Sequence, residues 1–360
     1  MNIQEMLSEA RKTGFVSAVS LADSNLVGAD FSNLKLDSVS FTGSNLTGAN
    51  FDNTILINTS FKNAVLRGLQ LNQASSDNCN FTGSIMQGAS IQYSSFSGCD
   101  FTRADLTSIS GESTHFSSCD FSLARIFGAK LTMSIWSSII INKTNFSNSD
   151  FYRLIAQKIT FDEAVFSNVN LTSALFEGCQ LAGQKFSNCV FVMAIFDGCD
   201  LAQANFSGQN LAQASFNGTN LNKASFVGCF GDYIAFIGAD AYRGNFSSVK
   251  FDMSNFSKTN LVMADLTNAW ITNTIFEKAQ LDYAKFHSAQ LDYDNFSNAS
   301  TEQTDFNNAS LYYANIHGIH GAKLEKSRQL NTAFGTDKKL KVAEDWQPLK
   351  ELPDKKKRMI

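Results

Sequence analysis

Residues 201–226 read LAQANFSGQNLAQASFNGTNLNKASF, and this stretch decides the fold. A large apolar residue stands at every fifth place: Leu201, Phe206, Leu211, Phe216, Leu221 and Phe226. Two places before most of them is a small residue, such as Ala204, Ala214 or Ala224, and the other three places are polar or glycine. The pattern extends outward in both directions without an insertion or deletion. From 21 to 316 at a step of five there are 60 positions, of which 54 hold Leu, Phe, Ile, Met or Trp. The exceptions are Ser76, Gly111, Ala156, Gly231, Ala241 and Thr301. Phe fills 28 of the 60, leaving Phe15, Phe127, Phe230 and Phe334 elsewhere. All seven cysteines fall in the small column.

A period of five fits neither common element. On an α-helix five residues turn about 500°, so the large column would visit every face. On a flat strand an odd step reverses the side chain at each repeat. One side stays inward only if the chain turns a corner once per pentad, and a coil of such corners stacks on itself as a β-solenoid. Length alone suggests two domains, but one unbroken repeat makes one. The chain has 360 residues and only two prolines, Pro348 and Pro353, both beyond the repeat. A proline would remove a donor from the ladder between coils.

Units such as Ala29-Asp30-Phe31-Ser32-Asn33, Ala49-Asn50-Phe51-Asp52-Asn53 and Ala204-Asn205-Phe206-Ser207-Gly208 resemble the pentapeptide-repeat family over residues 16–321. The resemblance implies an all-β solenoid, a right-handed quadrilateral parallel β-helix of four pentads per coil. Twenty residues per coil give about 15 coils, roughly 70 Å long at ~4.8 Å per coil. Positions 20 apart then stack. From 141 onward Phe146, Phe166, Phe186, Phe206 and Phe226 form one inward column, and Phe176, Phe196 and Phe216 form the opposite one. Cys79, Cys99 and Cys119 stack likewise. They read as buried structural thiols, because sulfurs a coil apart cannot close a roughly 2 Å bond without distortion; free thiols suit a reducing compartment.

Residues 1–15 read as an N-terminal cap. Ile3, Met6, Leu7 and Ala10 make a helical stripe, Asn2 with Glu5 suits a capping box, and Gly14 suits the stop. Residues 322–360 change composition, with 11 Lys+Arg against 6 Asp+Glu, so the remainder of the chain carries −9 of the total −4. This basic tail is expected to be helical or irregular, with a capping helix over 323–334 and a frayed end at Lys355–Arg358. The Ala333-Phe334-Gly335 and Trp346-Gln347-Pro348 elements resemble the C-terminal extension of related proteins. Around 227–244, Gly231 and Ala241 in the large column and Ile234 in the small one predict a bulge, underpacking or a kink used by a partner; Asp294 in the small column is a similar irregularity.

Catalytic and cofactor motifs are lacking. There is no CxxC, HExxH, GxxxxGK[ST] or GxGxxG, and His115, His287, His317 and His320 assemble into no triad. No catalytic, cofactor-binding or metal-binding residue is expected, and the chain reads as a non-enzyme. No signal peptide or apolar membrane span is visible, and the resemblance implies a bacterial cytoplasmic protein. The surface carries the remaining information. Acidic Asp282, Asp292, Glu302 and Asp305 accompany Tyr283, Tyr293 and Tyr313 in the last coils, with Trp270 also facing outward. Together they read as a partner-binding patch, against the plainer reading of solvated repeat surface. Some pentapeptide-repeat proteins are DNA mimics that bind type II topoisomerases, gyrase or topoisomerase IV, and the resemblance implies such a protein partner without direct nucleic-acid binding. This chain is long, lacks the protruding loops some of them carry, and has nine net charges where B-DNA of the same length bears about 40. The alternative is a scaffold or effector platform for another protein. A homodimer through the C-terminal end is a further implication of the resemblance.

Overall fold

One pentad contains the logic of the tube. In Ala49–Asn53 every amide is used: Ala49 donates to Leu46 O (3.0 Å), Asn50 to Ala29 O (2.9 Å) in the coil before, and Phe51 and Asn53 to Gln70 O and Asn72 O (2.6 and 2.9 Å) in the coil after. The fifth, Asp52 N–H, donates to the side-chain Oδ1 of Asn50 (2.9 Å). The same side-chain bond recurs at Asp100–Thr102, Asn205–Ser207 and Asn260–Val262. It is an Asx-turn, and it explains the Asn or Asp that precedes so many of the large residues.

The computed structural model describes residues 3–345. Asn2, Trp346-Gln347-Pro348 and the basic end at Lys355–Arg358 lie outside the described residues. From Ala18 to Gly318 every fifth residue, the second after each large one, has positive φ. This left-handed residue is the corner. None of these positions holds Val, Ile, Thr or Pro, since β-branched residues are genuine outliers at positive φ and proline is fixed near −65°. The proline gap therefore has two causes: the corners exclude it sterically, and the remaining amides are committed to bonds.

Coils stack in parallel with a register of 20. A nine-stranded sheet runs from Phe15–Ser17 to Leu175–Glu177, with Phe15 opposite Lys35 and Leu175 opposite Ile155. Bridges carry the same column on from Ile195 to Asn315, so the tube makes about fifteen turns. Among the described residues, none of the sixteen strands has Asn or Asp before its large residue; where an Asx-turn forms, the flank bends as a turn instead.

Inside, the large residues are buried almost without exception. Phe206, Phe226 and Phe246 stack at 5.2 and 4.8 Å, and Phe196, Phe216 and Phe236 at 5.3 and 5.1 Å. The two ladders meet edge-on, Phe206 against Phe216 at 83°, the geometry that aromatic quadrupoles prefer. Phe146, Phe166, Phe176 and Phe186 continue them toward the N-terminus. There another column joins them. Phe41, Phe61, Phe81, Phe101 and Phe121 stack on a different flank, and the buried Trp136, within 5.6 Å of Phe146 and 6.5 Å of Phe121, joins the two systems. Cys79, Cys99 and Cys119 are buried and unpaired, like the other four cysteines. Polar members of the small column donate to a carbonyl in the coil before: Thr219 Oγ1 to Phe196 O (2.8 Å), Cys199 Sγ to Phe176 O (3.3 Å). Burial pushes the Cys179 and Cys229 thiols up to about 12.

The N-terminal cap is helix α1 (Ile3–Thr13), which buries Met6, Leu7 and Ala10 and stops at Gly14, φ 72°. The expected weakness at Gly231 is a close approach. A Cβ there would lie 2.4 Å from Ala212 N, so this backbone packs against the coil before. The other end differs from expectation. Residues 323–334 are not a capping helix; they form a last, shortened turn. Asp305 bridges Lys323, Ser310 bridges Arg328 and Asn315 bridges Phe334, steps of 18, 18 and 19 in place of 20. Ladder bonding holds the segment extended, and only Leu330–Thr332 closes a 3₁₀ turn. The lost residues break the five-residue phase, so the pattern fades at Gly321 while the ladder continues. Helix α2 (Lys338–Glu344) follows, capped by Asp337.

Candidate partner-binding surface

With four pentads per coil, residues ten apart occupy opposite flanks. The expected patch therefore divides. Asp282, Tyr283 and Glu302 lie on one flank; Asp292, Tyr293, Tyr313 and Trp270 lie on the opposite one, and Asp305 on a flank between them. Asp294 is not on the surface at all. It is fully buried in the small column.

The flank with Trp270 is the richer. Trp270 is 60% exposed and stands in a three-stranded sheet with Phe230 and Lys250 at the equivalent positions of the preceding coils. Asp232, Lys250, Phe251, Asp252 and Trp270 line a shallow cleft of about 380 Å³. At the corner bordering this flank, Tyr233, Met253, Tyr293 and Tyr313 recur with register 20 at φ between 49° and 63°, and all are exposed. A left-handed corner points its side chain away from the tube, so a large residue there has nothing to pack on except its counterparts above and below. Tyr293 and Tyr313 stack at 5.8 Å and 7°, Tyr312 meets Tyr313 edge-on at 4.5 Å, and Phe334 of the last turn lies 5.8 Å from Tyr313. The sequence reading placed Tyr312 beside the patch but did not count Phe230, Tyr233, Met253 or Phe334 in it. A second count, of corner positions 20 apart, finds Tyr233 and Met253; Phe230 follows from its register with Lys250 and Trp270, and Phe334 comes only with the shortened last turn.

The acidic groups are less free than their exposure suggests. Asp292 accepts from Gln290 Nε2, from Ser310 Oγ (2.5 Å) and from Tyr312 N (3.3 Å). Asp282 accepts from Ser300 Oγ (3.0 Å) and Glu302 N (2.7 Å). Both tie neighbouring coils together. Asp252 accepts from Thr272 Oγ1 (2.7 Å) and Asn273 Nδ2 (2.8 Å). Of the histidines, His317 is buried beneath α2. Its Nδ1 accepts from Asp337 N (3.1 Å), which makes Nε2 the protonated nitrogen, and Nε2 donates to Glu344 (3.1 Å). Among the described residues no three His, Cys, Asp or Glu converge as a metal cluster, and no helix is long and apolar enough to cross a membrane.

The model described as "Pentapeptide repeats (8 copies)" matches residues 17–53, 44–75, 59–92, 94–132, 259–292 and 295–327, and the one described as "Pentapeptide repeat region" matches 156–226. Together they span well over half of the chain. The chain belongs to the pentapeptide-repeat family. Among solved structures, a pentapeptide repeat protein from the thylakoid lumen of Arabidopsis thaliana is 30% identical, covering 27% of this chain and 68% of its own, with a TM-score of 0.26. QnrB1, a plasmid-mediated fluoroquinolone resistance protein, is 18% identical over 55% of this chain and 89% of its own, TM-score 0.25. HetL, involved in heterocyst differentiation regulation in the cyanobacterium Nostoc sp. strain PCC 7120, is 17% identical over 86% and 97%, TM-score 0.19. No curated protein sequence matches this pentapeptide-repeat chain.

Proposed function

We propose that this rod is a non-enzymatic binding module that engages a protein partner through the flank carrying Trp270, Tyr293 and Tyr313. The observation that carries the reading is the exposed aromatic and Met column at the corner of that flank. Such residues are enriched at interface cores, and here they stay exposed at successive corners of one flank. The buried, unpaired cysteines fit a reducing compartment such as the bacterial cytoplasm. A variant with Trp270, Tyr293 and Tyr313 changed to Ser tests the reading. Interaction partners captured by the wild-type rod are expected to be lost while its melting temperature is kept; partners retained by the variant overturn it.

A second reading has its own support in the −9 net charge of residues 1–321. In this reading the rod occupies the basic DNA saddle of gyrase or topoisomerase IV. Its charges are mixed on every flank, with Lys250 two residues before Asp252, whose ladder partner is Asp232, which favours it less. A supercoiling assay decides: neither inhibition nor protection from a poison at micromolar rod removes it.

A further inference from the structure

Polar side chains in the small column face two backbone carbonyls, one two residues before them and one 23 before, in the preceding coil. Donors of several chemistries use this pair. Ser94 Oγ donates to Leu71 O (2.6 Å) and Gln92 O (3.2 Å), and Gln209 Nε2 to Ser207 O (2.9 Å) and Phe186 O (3.5 Å). Cys199 Sγ and Thr304 Oγ1 each use the more distant one, Phe176 O (3.3 Å) and Leu281 O (2.8 Å). Ser94 Oγ also accepts, from Ala74 N in the coil before (3.1 Å). Asp294 is the one carboxyl in this column. Its Oδ1 takes the accepting role, from Thr274 N (2.8 Å). Its Oδ2 is left with the donor's role, in a fully buried residue, and no described group donates to it. The carbonyls equivalent to those of Ser94 are Asp292 O and Ile271 O. An ionised oxygen can give them nothing, whereas a carboxylic acid has an O–H to donate.

Nothing around Asp294 offsets a negative charge. Its neighbours in the column, Thr274 and Ala314, and the large residues on either side, Leu291 and Phe296, carry none. The charges that bear on it are the carboxylates of Asp292, in its own coil, and Asp252, two coils back; both oppose ionisation, as burial does. Among the described residues no cation pairs with it. We infer that Asp294 is a neutral carboxylic acid in the folded rod, its Oδ2–H donated to Asp292 O or Ile271 O, and that this proton latches the last coils shut. When the proton leaves to solvent, a bare carboxylate remains in a dry tube, and the coil relieves it by opening to water. Asp294 follows Tyr293 directly in the chain, and its coil lies next to the one that carries Tyr313. The segment that opens is therefore the one displaying the stacked tyrosines, which places that corner under proton control. The latch works whether or not the corner binds a partner.

Hydrogen exchange of the full chain between pH 5 and pH 7 tests this. The comparison is Asp294→Asn, whose amide has the same shape and both donates and accepts at every pH. In the wild type, opening releases the proton, because the exposed acid ionises near ~3.9 while the enclosed one stays neutral, so opening grows about tenfold per pH unit. With intrinsic exchange rates divided out, the wild-type-to-variant ratio of opening is read at Leu291 N and Phe296 N, which bond to Ser310 O and Asn315 O. It is expected to rise about tenfold per unit, or about a hundredfold over the range. His317 and Glu344 titrate in both proteins and cancel in the ratio. At Phe61 N and Phe81 N, many coils away, the ratio is expected to stay flat. A second readout needs no opening. The wild type at pH 7 is expected to show the infrared C=O stretch of a protonated carboxylic acid, absent from Asp294→Asn and from Asp294→Thr. A ratio at Leu291 and Phe296 that does not change with pH overturns the inference, and so does a wild type without that band at pH 7.

Discussion

Asp294 shows how much one inward position demands. Its Oδ1 accepts from Thr274 N (2.8 Å), while Oδ2 has no partner and the residue is fully buried. Burial, with Asp292 and Asp252 nearby adding to it, pushes its carboxyl well above the usual carboxylate range. The unfolded chain ionises this group near ~3.9, so stability is fullest below that pH and falls as pH climbs toward the raised folded value. Asp294→Thr, matching Thr274 one coil before, is expected to raise stability at pH 7 by about 1–3 kcal/mol. Urea melts at pH 7 and at pH 3.5 check it: the gain shrinks at the lower pH. Corners supply the second residue-scale prediction. Gln213, φ 60°, changed to Val is expected to cost about 1–3 kcal/mol, and changed to Gly about nothing, by the same melts. The repeat told inward from outward at both places. It did not tell that the outermost residue of each pentad is left-handed, because a period carries no backbone angle; the absence of Val, Ile, Thr and Pro there was the overlooked clue.

Flanks are the next unit. Each becomes a turn or a strand, and an Asn or Asp before the large residue goes with the turn. The sheet Phe230–Asp232, Lys250–Asp252 and Trp270–Thr272 lacks it in all three coils, and Gly231 lets the first of them press against Leu211 and Ala212. Gly231→Ala drives a Cβ into backbone that cannot move aside, and is expected to cost about 3 kcal/mol or more, read from the urea midpoint. The cleft at Trp270 should distort with it, so Trp270 fluorescence should shift. A Gly in the large column looked like a hole from sequence, since the pattern knows only side chains. At Gly111 too the room is filled, by Ile91 and Leu131 from the adjacent coils. The shortened last turn was hidden for a related reason: losing one or two residues destroys the phase on which the whole reading depended.

Across the whole molecule, contacts link each coil chiefly to its neighbours, so damage should stay local. Phe276→Ala breaks the stack with Phe256 and Phe296, at 5.1 and 4.9 Å. It is expected to cost about 3–5 kcal/mol. Hydrogen exchange should accelerate in the coils around 256–296 and stay unchanged around Phe61 and Phe81; uniform acceleration would mean that the rod unfolds as one unit. This scale was the most legible, because stacking by 20 follows from the pentad once there are four per coil. The partner surface was the least. Residues near in sequence, such as Tyr283 and Tyr293, face opposite ways, and only register shows it.

The shortened final turn has one more consequence. An open coil edge offers its amides and carbonyls to any chain that can match them, and the best match for a coil of twenty is another coil of twenty. A turn closed in eighteen or nineteen residues presents those groups out of step. A second rod arriving end-on finds some of its bonds unmade at each corner. A last turn of this kind would disfavour end-on growth of the ladder.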